Sequence, residues 1–241
     1  DDLSDILKQF HNAIRTVPAD GNILFHDGDE NIINLIEMGC WSNTYKLGSE
    51  ENIKLSIEEG IIHLEGQRFD LSELPMHGQH NLNNAVMAMY ASFLHGVDPQ
   101  KAFLALKNSN GVKRRFETVF HNNEKIVIDD FAHHPTAISN TVEAAINHFA
   151  PKKVMGIVEL ASNTMSQGHH GVELYDSASG LEQVYWLNLS SKKNQDFEYD
   201  SINSLLEDLK KDIDSIDVIL IMSNKDSKKI SEPIIDIIKS K

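Results

Sequence analysis

The 241-residue chain is 41% hydrophobic and 24% charged, with a formal net charge of −14 and one cysteine, Cys40. This length admits one large domain or two modest ones, the composition is that of a globular protein, and a single cysteine excludes an internal disulfide. The acidic balance argues against nucleic acid or an anionic membrane as partner, because a basic field holds those surfaces; a small anion in one basic pocket remains compatible with it. No apolar run approaches the roughly 20 residues of a membrane span. The opening "DDLSDILKQF" carries acids where an export signal carries Lys or Arg, so a cytoplasmic protein is expected.

In chain order, a helix is predicted over Leu3–Arg15, stopped before Pro18. A short strand "NILFH" follows, then a helix over Asn31–Met38 ended by Gly39. The stretch "NIKLSIEEGIIHLEGQRFDL" alternates polar and apolar around Glu59-Gly60, the pattern of a β-hairpin. Leu82, Ala85, Val86, Met89 and Phe93 fall at helical spacing closed by Gly96, and Asp98-Pro99 supply the cap and first-turn proline of another helix. The polar "KNSNG" at 107–111 marks a boundary between residues 1–110 and 111–241.

Beyond that boundary "FETVF" and "KIVIDDF" flank "HNNE" as a hairpin. A helix from Pro135 places Ile138, Val142, Ala145, Ile146 and Phe149 on one face. Then come strand "KVMGIVEL", a helix near Gly171–Ser179, strand "VYWLNL", helix "SINSLLEDLKK", strand "DVILIMS" and a final helix. Short apolar strands alternating with amphipathic helices predict an α/β domain with a mostly parallel sheet covered on both faces. Ligands bind beyond the carboxyl ends of strands in such sheets, which points to three loops: Asp129–His134, Glu159–His170 and Ser223–Lys225.

Five short motifs are candidates for chemistry. "GQHNLNNA" at 78–85 opens a helix; its asparagines read either as caps or, with Asn81 and Asn84 on one face, as amides suited to a purine edge. "GVKRRFE" at 111–117 reads either as a solvated hinge with Glu117 pairing a neighbouring arginine or as Lys113, Arg114 and Arg115 meeting phosphate. "DDFAHHP" at 129–135 puts two acids and two bases on one loop; structurally, one Asp would cap the Pro135 helix and one His would stack. "SNTM" and "GHH" lie on the next loop of the same edge.

In this order and spacing, "GQHNLNNA", "GVKRRFE" and "DDFAHHPTAI" resemble the Mur ligases of bacterial peptidoglycan assembly. The tail of the third motif and "SNTM" resemble the branch that joins the murein tripeptide L-alanyl-γ-D-glutamyl-meso-diaminopimelate to UDP-N-acetylmuramate. "FHNAIRTVPADGNILFHDGDENI" and "GCW" at 39–41 extend the likeness over most of the chain. The resemblance implies that 1–110 is the rear of a central ATPase domain and 111–241 a complete C-terminal Rossmann-like domain. The family's UDP-sugar domain and its G-x-x-G-K-[ST] phosphate loop are not found in these residues, so this stretch alone is expected to be inactive.

The implied reaction uses ATP and Mg²⁺ to phosphorylate the lactyl carboxylate of UDP-N-acetylmuramate, after which the free amine of the tripeptide attacks and phosphate leaves. Both substrates are small molecules; nucleic acid, membrane and a dedicated protein-bound metal site are not expected, and the oligomeric state is left open. By resemblance, Asn81 and Asn84 hold adenine. Arg115, with Lys113 and Arg114, reaches the nucleotide phosphates. Asp130 contacts ribose or orients that arginine. His133 and His134 stand at the reacting groups, with His133 preferred for the amine, and Ser162, Asn163 and Thr164 bind the peptide.

Two departures bear on the acceptor. The branch has Glu-Pro-Arg where this chain has Glu159-Leu160-Ala161, and Gly-Gly-Phe-Gly where Lys225-Asp226-Ser227 follow "MSN". The alternatives are an L-alanine-adding ligase of the same family, a non-catalytic nucleotide- or peptide-binding module, and a metal hydrolase built on Asp129, Asp130, His133 and His134.

Overall fold

The computed structural model describes residues 3–48, 55–58, 60–160, 171–188 and 198–241. The chain divides into two compact units, Asp1–Pro75 with Leu82–Ser109, and Met76–Asn81 with Asn110–Lys241.

The first unit opens with helix α1 (Leu3–Ile14), strand β1 (Asn22–His26) and helix α2 (Glu30–Glu37), whose N-cap Asp29 accepts from the Ile32 N–H at 3.2 Å. β2 (Asn43–Leu47), which the sequence reading missed, pairs in parallel with β1. β3 (Leu55–Glu58), β4 (Ile61–Leu64) and β5 (Gln67–Asp70) form an antiparallel sheet, one strand more than the expected hairpin. The extra turn places Glu65 at φ 52° and Gly66 at φ 74°, the left-handed pair of a two-residue hairpin loop. α3 (Gln79–Leu94) and α4 (Pro99–Lys107) follow; Asp98 caps α4 and Pro99 takes its first turn, as read from the sequence.

The second unit is a six-stranded sheet in the order β10-β9-β8-β11-β7-β6, built from β6 (Glu117–His121), β7 (Ile126–Asp130), β8 (Val154–Glu159), β9 (Gln183–Leu187), β10 (Glu198–Tyr199) and β11 (Val218–Met222). Only β6 runs antiparallel to its neighbour. Successive strand residues face opposite sides, so the two-residue period divides each strand between two cores. Ile126, Ile128, Val218, Leu220 and Met222 pack with Ile138, Val142 and Ala145 of α5 (Pro135–Phe149) and Leu174 of α6 (Gly171–Asp176). Val127, Ile219 and Ile221 pack with Leu205 and Leu209 of α7 (Ile202–Asp212) and Ile230 and Ile234 of α8 (Lys228–Lys239). Burial on both faces is why these strands read as continuous apolar runs.

Strand β11 enters the sheet between β7 and β8, its Met222 opposite Asp130 on one side and Val158 on the other. Helix α5 leaves β7 over one face and α8 leaves β11 over the other, so the carboxyl ends of β7, β11 and β8 form a topological switch point.

Candidate functional site

The site grows from a strained turn. Arg114 and Phe116 have φ of 59° and 54°, a left-handed backbone that non-glycine residues adopt at a cost of order 1–3 kcal/mol each. Fixed side chains pin it. The Arg114 N–H donates to Glu117 Oε2 at 2.8 Å, the Phe116 N–H donates to Asp130 Oδ2 at 2.8 Å, and the Phe131 N–H donates to the Arg114 carbonyl at 2.8 Å. Asp130 is 1% exposed; its Oδ1 also accepts from the Ala132 N–H at 2.8 Å and from Thr141 Oγ1 at 3.3 Å. One buried carboxylate thus ties the arginine turn, the loop after β7 and helix α5 together. In one of the two readings of this motif Glu117 pairs a neighbouring arginine; its bond is to the Arg114 backbone N–H, because the turn leaves that group facing it.

The two arginines part company here. Arg114 Nε lies 3.3 Å from Asp129 Oδ2, its guanidinium donates to the Ser223 carbonyl, and its Cζ sits 5.0 Å from the Phe131 ring centroid. Arg115 is exposed, its Cζ 5.8 Å from the centroid of the same ring, and among the described residues nothing claims its guanidinium by hydrogen bond or ion pair. Lys113 is also exposed. Asp129 is buried and accepts from Ser227 Oγ at 2.6 Å; burial pushes its carboxyl pKa up, with Ser227 and Arg114 opposing. Ser223 Oγ donates to the buried Glu159 carboxylate and accepts from the Lys225 N–H at 3.0 Å, joining the ends of β8 and β11. Sequence inspection marks these loops without revealing that Glu159, Ser223 and Ser227 are their cross-links, since each partner comes from a distant strand.

The two histidines differ as well. His133 Nδ1 lies 2.7 Å from the Phe131 carbonyl. A carbonyl only accepts, so Nδ1 carries a proton, and in the neutral form of the ring Nε2 presents the lone pair. His134 is the N-cap of α5, its Nδ1 accepting from the Thr136 N–H at 3.4 Å. In the structural reading of this motif one Asp would cap the helix; the cap is His134, because the residue before a first-turn proline occupies that position. His134→Ala is expected to cost no more than about 1 kcal/mol, read as a small fall in the urea midpoint.

Asn81 is buried, its side-chain N–H donating to the His77 carbonyl at 2.9 Å, whereas Asn84 is exposed on the same helix. His80, unremarked inside its motif, has a buried Nδ1 without a partner among the described residues. Burial lowers its pKa; Asp130 opposes and Arg115 adds to the lowering, which places the ring in the field of both. Gly78 is fixed by geometry: at φ 86° an added Cβ would stand 2.9 Å from Ala144 Cβ of α5. Gly78→Ala should cost about 1–3 kcal/mol of stability by urea titration.

Ser162, Asn163 and Thr164, like His169 and His170, lie outside the described residues. Among the described residues no group of three or more His, Cys, Asp or Glu is disposed to hold a metal ion. Asp129, Asp130, His133 and His134 form no such group: Asp129 Oδ2, both Asp130 oxygens and His133 Nδ1 are committed to Arg114, Ser227, backbone N–H groups and a carbonyl, and only Asp129 Oδ1 is buried without a hydrogen-bond partner among the described residues. The Mg²⁺ expected by resemblance therefore has no ligand set there.

A family model described as Mur ligase, glutamate ligase domain, matches residues 114–225. The UDP-N-acetylmuramate–L-alanyl-γ-D-glutamyl-meso-2,6-diaminoheptandioate ligase of Escherichia coli (strain K12) is 33% identical over 193 residues, 78% of this chain and 42% of that protein. The chain belongs to the Mur ligase family.

Another Mur ligase, the UDP-N-acetylmuramate–L-alanine ligase of Christiangramia forsetii, is 30% identical over 194 residues, 78% of this chain and 41% of that protein. The crystal structure of a murein peptide ligase from Psychrobacter arcticus 273-4 superposes with a TM-score of 0.71 at 26% identity, covering 98% of this chain and 55% of that one. The chain thus spans less than half the length of these curated relatives. Within the Mur ligase fold, the departure at Leu160 is a core position: Leu160 is 2% exposed and its N–H donates to the Leu187 carbonyl at 2.8 Å. Lys225 is exposed at the end of β11.

Proposed function

We propose that this chain is part of an ATP-dependent amide ligase that joins the murein tripeptide L-alanyl-γ-D-glutamyl-meso-diaminopimelate to UDP-N-acetylmuramate. The observation that carries the reading is the division of labour in the arginine pair. Arg114 is consumed by Asp129 and Ser223, while Arg115 is held exposed on a pinned turn at the switch point. A planar, permanently charged fork in that position is suited to phosphate oxygens. The name of the Escherichia coli relative supports the substrate pair.

A carboxylate is a poor electrophile. Transfer of the γ-phosphoryl group of ATP to the lactyl carboxylate gives an acyl phosphate and ADP. Attack by the tripeptide amine forms the C–N bond, the amine loses a proton, and inorganic phosphate leaves with the C–O bonding pair. Arg115, with Lys113 beside it, stabilises charge on the transferring or departing phosphoryl oxygens. His133 Nε2 takes the amine proton, its ring orientation fixed by the Phe131 carbonyl. Asp130 positions Arg115 through the Phe116 N–H rather than through its guanidinium. Asn81 and Asn84 are the proposed adenine contacts, and Ser162, Asn163 and Thr164 the proposed peptide contacts.

An acceptor competition with the complete protein tests the reading. The tripeptide should be ligated in preference to free L-alanine, and the reverse preference would assign the chain to the L-alanine-adding branch, as in Christiangramia forsetii. His133→Ala should lower kcat about 10²-fold with little change in the KM for ATP, whereas His134→Ala stays within a few-fold of the parent. Equal losses at the two histidines would remove the proton-acceptor role from His133.

A further inference from the structure

A second cleft lies on the α5 side of the outer strand β6. It has a volume of about 400 Å³ and is lined by His77, His121, His148 and Lys152, with Phe116 and Phe149 among its apolar walls. Among the described residues no aspartate or glutamate lines it, although the chain carries 36 acids against 22 lysines and arginines. In so acidic a protein, a cleft whose ionisable lining is three imidazoles and one ammonium, with no described carboxylate, is a local departure from the overall charge.

The histidines are organised by their neighbours. His77 and His148 lie face to face with ring centroids 3.8 Å apart and planes 33° apart. Phe116 meets both edge-on, at 5.6 and 6.1 Å, and Phe149 stacks on Phe116 at 6.0 Å. Partial shielding from water lowers the pKa of both rings, although His148 as a whole residue is exposed, and for His77 the charge on His148 adds to the effect. Such a pair is stable when neutral and accepts protons readily only if an anion supplies the counter-charge. Neutral or charged, each ring offers N–H donors, and charge-assisted bonds to phosphate oxygens are the strong ones.

We propose that this cleft binds a small organic phosphomonoester, its phosphate held by His77, His121, His148 and Lys152 and its apolar body resting on Phe149. The volume falls within the roughly 300–1,000 Å³ of small-molecule sites, which leaves room for more than the phosphate itself. The cleft is separate from the switch point. β7 starts in it at Ile126 and reaches the other site at Asp130, about 13 Å along the strand. The two are joined through Phe116, whose ring walls the cleft and whose backbone fixes Arg115, so occupancy bears on the arginine turn.

The test is ¹H–¹³C NMR of the histidine rings, assigned by single His→Gln variants, with phenyl phosphate, inorganic phosphate and phenol as probes. Phenyl phosphate should shift His77, His121 and His148 saturably and bind about tenfold tighter than inorganic phosphate, with phenol leaving them unmoved. The double variant His148→Gln, Lys152→Gln, both at exposed positions, should weaken binding at least about tenfold. Absence of saturation, equal affinity for inorganic phosphate, an equal response to phenol, or shifts confined to His80 and His133 would each overturn the proposal. No ligation activity enters the measurement, so its result is independent of the assignment of the switch-point site.

Discussion

Arg115→Ala in the complete protein is expected to lower kcat for ATP-dependent ligation by about 10²–10³-fold, while the thermal midpoint moves by less than about 2 °C. The rate loss follows from the side chain's position at the switch point with no internal partner among the described residues. A cation aimed at developing phosphate charge acts in the transition state more than in the ground state, so its removal appears in kcat. The small stability change follows from the same fact, for an exposed guanidinium 5.8 Å from the centroid of the Phe131 ring contributes little to folding. Arg115→Lys keeps the charge and loses the fork, and should recover only part of the rate.

Arg114→Ala should behave the other way round. It removes the cation beside the buried Asp129 carboxylate, leaving Ser227 Oγ as its donor, and releases the Ser223 carbonyl, so it costs about 3–5 kcal/mol. Steady-state kinetics with urea titrations on the three variants check the pattern. An Arg115→Ala protein of unchanged kcat would end the assignment of phosphate contact to that residue.

The sheet was legible in the sequence where burial is two-sided. "IVIDD", "VMGIVE" and "VILIM" are apolar runs between turn residues, and such runs announce central parallel strands. β2 was missed because "NTYKL" has only two apolar residues and owes its strand state to parallel pairing with β1 some twenty residues earlier. β10 is two residues long, too short for any period to show.

At the site, residue types and loops were readable and partners were not. Nothing in "KRRFE" announces a left-handed backbone at Arg114 and Phe116, since that conformation is imposed by Asp130 and Glu117. The separate fates of Arg114 and Arg115 depend on Ser223, 109 positions from Arg114 along the chain. The His77–His148 pair joins a short segment ahead of α3 to the last turn of α5, a contact that only the tertiary fold creates.

Asp130→Ala is expected to cost about 3–5 kcal/mol, from two buried backbone N–H groups left unpaired at about 1–3 kcal/mol each. The groups are those of Phe116 and Ala132, both buried and both 2.8 Å from the carboxylate. Against a typical stability of about 5–15 kcal/mol this is a large fraction, and a fall in the urea midpoint measures it. Asp130→Asn should rescue only part of the loss. Each carboxylate oxygen accepts from a backbone N–H, whereas an amide offers one acceptor and turns a donor toward the other N–H. Thr141→Val removes the 3.3 Å bond alone and should cost about 1 kcal/mol or less, which separates the backbone contribution from general damage to α5. Because the Phe116 N–H is the tie that holds Arg115 on its turn, the Asn variant should lose kcat even under conditions where it is fully folded. A folded Asp130→Asn protein with parental kcat would show that the turn is held by Glu117 and the Phe131 N–H without the carboxylate.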